Sequence, residues 1–305
     1  MSRTFQAHVS LLVANIIYGA NYTIAKDVMP EYIQPSGFIL LRVLVAFVLF
    51  FGVQKLVVKE KVINIHLPLL FLCGITGVTI NQLFFFEGLA LTTPINAALI
   101  MTTTPILVLV MAAIIIKEEI TPLKIAGIIA GISGAILLII YRDNLDLSRE
   151  TMMGDIFIFL NAISYGIYLV IVKPLMRKYN PVTVMMWVFL FGSIFVIPFG
   201  YRELQEVKWL TFTDYTWFGI FYVVIGTTFF AYLLNTIALR NVSPSVVSIY
   251  VYMQPLFATF IAMISGKDKF SLIHLISALL IFTGVFLVSN SGFLKRKLFS
   301  KKSID

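Results

Sequence analysis

The sequence predicts an all-α integral membrane protein of ten transmembrane helices in two inverted five-helix repeats. Three observations lead there. Of 305 residues, 59% are hydrophobic and only 12% charged, and the mean hydropathy is +0.95, outside the range of an ordinary soluble domain. The apolar runs are each about 20 residues long, which at 1.5 Å per residue matches a hydrocarbon core of roughly 30 Å; they do not alternate as barrel strands would. A polar pattern in the first run also returns half a chain later: Tyr18-Gly19 and Lys26 reappear as Tyr165-Gly166 and Lys173, 147 positions on.

Hydropathy places the spans near 6–26, 36–54, 67–91, 95–116 and 122–141, then 154–173, 182–200, 215–239, 246–265 and 272–290. The first run is too long for a signal-peptide core and carries Asn15 and Asn21, so it reads as a retained helix. Within it Asn15, Tyr18, Tyr22 and Lys26 lie along one helical face. Span 2 carries Arg42 and span 3 carries Asn81, Gln82 and Glu87. Span 4 holds Thr103, Thr104 and Pro105, and span 5 has Gly127, Gly131 and Gly134 at close-packing intervals, for a helix neighbour or a dimer face. In span 6, Asn161, Tyr165 and Tyr168 repeat the stripe of span 1. Span 9 carries Tyr250, Gln254 and Pro255. Connections near 55–66, 142–153 and 201–214 are too short to hold a soluble domain.

The repeat continues beyond the first span: Pro94, Pro105 and Gly134 recur as Pro244, Pro255 and Gly284, each 150 positions later. Residues 1–145 and 146–292 form the two halves, and 293–305 a basic cytoplasmic tail. Five spans per half is an odd number, so the halves enter the membrane in opposite orientations, an arrangement typical of carriers with a site at the midplane. A cytoplasmic N-terminus puts about fifteen Lys and Arg inside and about seven outside, so both termini face the cytoplasm. The +8 charge is then a matter of inner loops meeting anionic lipid, with no need of nucleic acid.

Polar groups deep in lipid face partners or a water-filled cavity. Asn15, Tyr18, Tyr22, Asn81, Gln82, Thr103, Thr104, Asn161, Tyr165, Tyr168, Tyr250 and Gln254 come from both halves and suit a central cavity for a small polar molecule. Pro105 and Pro255 free the carbonyls of Met101 and Val251 at mid-span. Arg42 and Glu87 are the charges most clearly inside spans, on the order of 7–9 Å deep, as an ion pair or as groups coupling transport to protons. Lys26 and Lys173 end their spans and read as snorkelling to the interface. The lone Cys73 reads as packing, and His8, His66 and His274 lack ligand spacing, so neither metal nor cofactor is expected.

Pro35 followed by Arg42, Leu89-Ala90-Leu91 leading to Pro94 and Pro105, Glu118-Glu119-Ile120-Thr121 before a glycine-rich span, and their echoes at Ala238-Leu239, Ser243-Pro244-Ser245, Gln254-Pro255 and Gly284, resemble the drug/metabolite transporter superfamily, EamA-type permeases. The resemblance covers nearly the whole chain. It implies a secondary carrier of the inner (plasma) membrane, exporting amino acids or other small metabolites by alternating access, as monomer or homodimer. Where the family often has an acidic residue after span 9, this chain has Asp268-Lys269, and the second half has no counterpart of Arg42. The alternatives are an exchanger or flippase for a larger or lipid-linked polar substrate, or a receptor. No nucleophile with a base, paired carboxylates or phosphate-binding loop lies in the spans, so neither an enzyme nor an ATP-driven pump is expected.

Overall fold

A computed structural model of the chain describes residues 2–29, 31–142, 149–264 and 272–291. They contain ten helices. The first half supplies α1 (Arg3–Val28), α2 (Pro35–Val58), α3 (Asn64–Leu91), α4 (Pro94–Met101 and Thr104–Ile115) and α5 (Pro122–Arg142). The second supplies α6 (Arg149–Lys178), α7 (Pro181–Gln205), α8 (Asp214–Asn241), α9 (244–264) and α10 (Leu272–Ser289). Eight of the ten are long and apolar enough to cross a membrane. Among the others, α1 has the length, and its polar face lowers its hydropathy. The predicted basic tail and Asp268-Lys269 lie outside the described residues.

Local chemistry starts these helices. Thr93-Pro94, Asn180-Pro181 and Ser243-Pro244 each place a capping side chain, which accepts from a backbone N–H of the first turn, before a proline at the first helical position. The 150-residue offset of Thr93 and Ser243 carries the repeat into three dimensions.

Packing obeys the same symmetry. The most extensive contacts are α5 with α10 and α2 with α7, both pairs of equivalent helices. Contacts of α1 with α8 and α9 are matched by those of α6 with α3 and α4. Because lipid is as apolar as leucine, such helices are held by close packing and hydrogen bonds. Gly127 and Gly134 illustrate this: a Cβ at either would fall 2.7–2.9 Å from α10 atoms. The small-residue face of α5 is therefore filled by α10 and by Tyr252 of the same chain, which accounts for it as packing and leaves no dimer face there. Phe199, Phe221, Phe260 and Phe286 point outward, as lipid-facing residues should.

Two features depart from the expected regular spans. Helices α3 and α8 pass through π-helical stretches at Ile75–Ile80 and Tyr222–Ala231, again at equivalent places. Threonine hydroxyls bond back along the chain there, Thr76 to Leu72 O at 2.8 Å and Thr228 to Val223 O at 2.8 Å. Helices α4 and α9 are broken, at Thr102–Thr103 and by a 3₁₀ turn at Tyr250–Tyr252. Both breaks come just before Pro105 and Pro255, as the two prolines suggest.

Candidate functional site

Met101 just before the α4 break, Val251 in the α9 break and Thr227 in the α8 π-stretch border one central cavity of about 80 Å³. The first repeat contributes Tyr18, Asn21 and Tyr22 from α1, Arg42 from α2, Asn81, Gln82, Phe85 and Phe86 from α3, and Met101 from α4. From the second come Asn161 and Tyr165 of α6, Thr227 and Tyr232 of α8, and Val251 and Gln254 of α9.

Hydrogen bonds across the repeats fix its walls. Gln82 Nε2 donates to the Tyr232 hydroxyl, a bond between positions 150 apart and so at equivalent places in the two halves. Tyr232 lies 3.1 Å from Asn81 Oδ1 and 3.3 Å from Gly77 O as a donor. Asn161 Nδ2 donates to Asn81 O at 2.6 Å. On the opposite wall Tyr22 donates to Gln254 Oε1 at 3.1 Å, and Gln254 Nε2 to Asn15 Oδ1 at 2.9 Å. Thr227 donates to Asn21 Oδ1 at 3.2 Å.

A second, much smaller space of about 10 Å³, no more than a single water fills, lies beyond the first. Tyr18, Tyr165 and Tyr232 line both cavities, so these three rings form the partition. The larger cavity extends from them along α1 through Asn21 and Tyr22 toward Lys26. The smaller extends along α6 through Tyr168 and Leu169 toward Lys173. Their lining residues run from the partition toward opposite ends of the bundle.

Of the residues singled out from the sequence, Tyr18, Tyr22, Asn81, Gln82, Asn161, Tyr165 and Gln254 line the central cavity. Asn15 stands behind the wall, holding Gln254 and donating to Leu11 O. Tyr168 belongs to the smaller cavity. Three expectations need correction. Thr103 turns its hydroxyl back to Ile100 O at 2.8 Å and borders a separate, largely apolar cleft. Thr104 is fully buried beside Met101 Sδ, 4.0 Å away; threonines at a helix break satisfy themselves locally. Tyr250 pairs with His8 Nδ1 at 2.7 Å, away from the cavity.

The charges behave differently from expectation too. Arg42 and Glu87 do not pair: Arg42 Nε donates to Thr228 Oγ1 at 2.6 Å, whereas Glu87 Oε1 accepts from Ser36 Oγ at 2.5 Å. Lys26 and Lys173 do not snorkel. Lys26 Nζ donates to Leu89, Ala90 and Thr92 carbonyls at 2.7–3.0 Å, and Lys173 Nζ to those of Leu239, Arg240 and Val242 at 2.5–3.4 Å. Each caps the C-terminus of an equivalent helix, α3 or α8, where last-turn carbonyls attract a cation.

Sequence reasoning passed over Asn21, Thr227, Tyr232 and the Phe85-Phe86 pair. Tyr232 carried a signal, its 150-residue offset from Gln82, and Thr227 lies in a small polar cluster, Gly226-Thr227-Thr228, inside an apolar span. Among the described residues no group of three or more His, Cys, Asp or Glu is placed to hold a metal ion.

The EamA-like transporter family model matches residues 6–140 and again 152–290. The chain belongs to this family. Proteins similar to it include an uncharacterized transporter of Archaeoglobus fulgidus, 27% identical over 93% of this chain and 97% of its own length. The Bacillus subtilis uncharacterized transporter YyaM is 24% identical over 92% and 93% respectively, and the Arabidopsis thaliana protein WALLS ARE THIN 1 is 22% identical over 93% and 82%. A solved crystal structure superposes with a TM-score of 0.74 at 17% identity, covering 94% of this chain and 98% of that one, which shows the shared fold. This EamA protein is a multi-pass membrane transporter, and the Archaeoglobus fulgidus and Bacillus subtilis relatives are named as transporters.

Proposed function

We propose that the chain is a secondary transporter exporting a small organic metabolite, such as an amino acid, by alternating access around the central cavity. The observation that carries this reading is the partition. Two cavities, one toward each end of the bundle, share only the Tyr18, Tyr165 and Tyr232 rings, and those rings come from helices of both repeats. Rocking one repeat against the other would thin the barrier on one side and thicken it on the other, passing a bound molecule across. Export, as opposed to uptake, follows the family resemblance. An orientation with both termini in the cytoplasm of a cell-membrane carrier rests on the Lys and Arg distribution.

The test is efflux from proteoliposomes loaded with a whole-cell metabolite extract, followed by mass spectrometry of what leaves, with and without a pH gradient. A few chemically related metabolites should leave faster than from protein-free liposomes. Tyr232→Phe, which takes the hydroxyl from Gln82, Asn81 and Gly77, should slow that efflux at least several-fold, since each buried group left unpartnered costs about 1–3 kcal/mol. Efflux no faster than the protein-free control would sink the transporter reading, and acceleration by an imposed proton gradient would identify protons as the coupling ion.

A further inference from the structure

A larger space than the central cavity lies on the flank of the bundle, a cleft of about 570 Å³ between α4, α5 and α6. Leu99 and Ile100 of α4, Ile132 and Ile136 of α5, and Ile156 and Phe159 of α6 line it. Ile156 and Phe159 are also exposed, so the cleft opens sideways, to lipid. Asp155 is the one ionisable residue in its lining among the described residues. It is half-buried, and the bonds it accepts come from neutral donors, Thr92 Oγ1 at 2.6 Å and Asn96 Nδ2 at 3.4 Å.

The depth of this carboxylate suits a headgroup. The membrane-crossing part of α6, Thr151–Lys178, has 28 residues, about 42 Å of helix against a hydrocarbon core of about 30 Å. Centred in the bilayer, it projects about 6 Å at each end. Asp155, four residues in from Thr151, therefore sits at the boundary between headgroups and chains. Ile156 and Phe159 follow below it, among the chains.

The second repeat shows how such a place can be closed from within. By the 147- and 150-residue offsets, Asp155 corresponds to His8 and Ile100 to Tyr250. There the two side chains meet: His8 Nδ1 and the Tyr250 hydroxyl lie 2.7 Å apart, with ring centroids 5.9 Å apart. In the first repeat an isoleucine stands where the tyrosine would be. It offers Asp155 no polar group across the groove, and the cleft is left open.

We propose that this cleft holds a phospholipid with a primary-ammonium headgroup, as in phosphatidylethanolamine. One acyl chain lies along Ile100, Ile132 and Ile156, and the ammonium donates to Asp155. The chain gains little by exchanging lipid for an equally apolar groove, so the headgroup decides which lipid stays. A primary ammonium supplies both positive charge and N–H donors to a carboxylate. Choline supplies the charge without a donor, and a glycerol headgroup supplies donors without the charge. Nothing in this depends on what the central cavity carries.

Two readouts on the purified full chain test it. Native mass spectrometry in detergent, with phosphatidylethanolamine, phosphatidylcholine and phosphatidylglycerol of identical chains, reads headgroup preference. Phosphatidylethanolamine with a photoreactive acyl chain, crosslinked in proteoliposomes, reads location from the labelled peptides. One phosphatidylethanolamine should bind about three- to tenfold more tightly than either other lipid, the weight of a half-exposed charge-assisted hydrogen bond. Crosslinks should favour 99–103 and 156–160 over the matching stretches 249–253 and 9–13. Asp155→Asn should erase the headgroup preference. Ile100→Tyr, which fills the cleft with a ring, should reduce labelling there.

The proposal is overturned if the three lipids bind alike, if choline or glycerol is the preferred headgroup, or if crosslinks fall equally on both repeats. It is also overturned if Asp155→Asn, still folded by its melting transition, keeps the preference. A dimer carrying no lipid would do the same, making a second copy the occupant. Should Asp155→Asn not fold, the headgroup series and the crosslink map of the wild type decide alone.

Discussion

At the scale of single residues, what matters is which polar groups are already satisfied. Thr102, Thr103 and Thr76 spend their hydroxyls on carbonyls three or four residues back, so their presence deep in a span reflects backbone repair at a break or π-stretch. Gln82, Asn81, Tyr232 and Asn161 instead bond between repeats, which fixes the cavity wall. Glu87 belongs to neither group. It is half-buried, outside the cavity lining, and accepts from Ser36 at the first turn of α2, where Glu203 also accepts from Gly37 N at 2.8 Å. Carboxylates at a helix N-terminus are stabilised by its dipole, each by about 0.3–1 kcal/mol. Glu87→Gln should therefore lower the unfolding midpoint slightly and leave the pH profile of efflux unchanged. A flattened profile in the efflux assay would instead make Glu87 the proton carrier.

Element by element, the chain uses the same devices twice. Lys26 ties the end of α1 to the end of α3, and Lys173 ties α6 to α8; Glu203 meets the start of α2 as Glu60, at the end of α2, meets Asn180 N before α7, both at 2.8 Å. The lysines join helices within one repeat, which move together if one repeat rocks against the other, whereas the glutamates join α2 and α7 across the two repeats. Losing a lysine leaves carbonyls at a helix end without a cation, and the two sites differ in burial: Lys173 is 7% exposed and Lys26 more so. Lys173→Met is expected to destabilise by roughly 2–3 kcal/mol and Lys26→Met by about half as much, because water can replace the cation only at the more exposed site. Thermal unfolding of the two variants in one detergent checks the order. Equal losses would mean that solvent reaches both helix ends alike.

For the molecule as a whole, inverted symmetry makes a geometric prediction. The Lys26 end of α1 and the Lys173 end of α6 must lie on opposite faces of the membrane. Glu31, just past α1, and Lys178, at the end of α6, are both exposed, and the native Cys73 is buried. Cysteine at Glu31 should react with an impermeant maleimide added to intact cells, and cysteine at Lys178 only after permeabilisation; reversed labelling would invert the orientation read from the Lys and Arg bias. The sequence by itself determined the membrane class, the ten spans, the two halves and the family, because span length is set by bilayer thickness and a duplicated chain keeps its prolines, glycines and stripes in register. It also placed seven of the cavity residues, since mid-span polar groups are rare enough to be noticed. Only the tertiary structure decided that Thr103, Thr104 and Tyr250 lie elsewhere, that Arg42 faces the cavity without Glu87, and that the two lysines turn inward. For Tyr250, Arg42 and the lysines the outcome depends on which neighbour reaches a polar atom first across helices some 60 to 240 residues apart, which no spacing along one helix encodes; for Thr103 and Thr104 it depends on the local break in α4, where each turns to an atom three residues back.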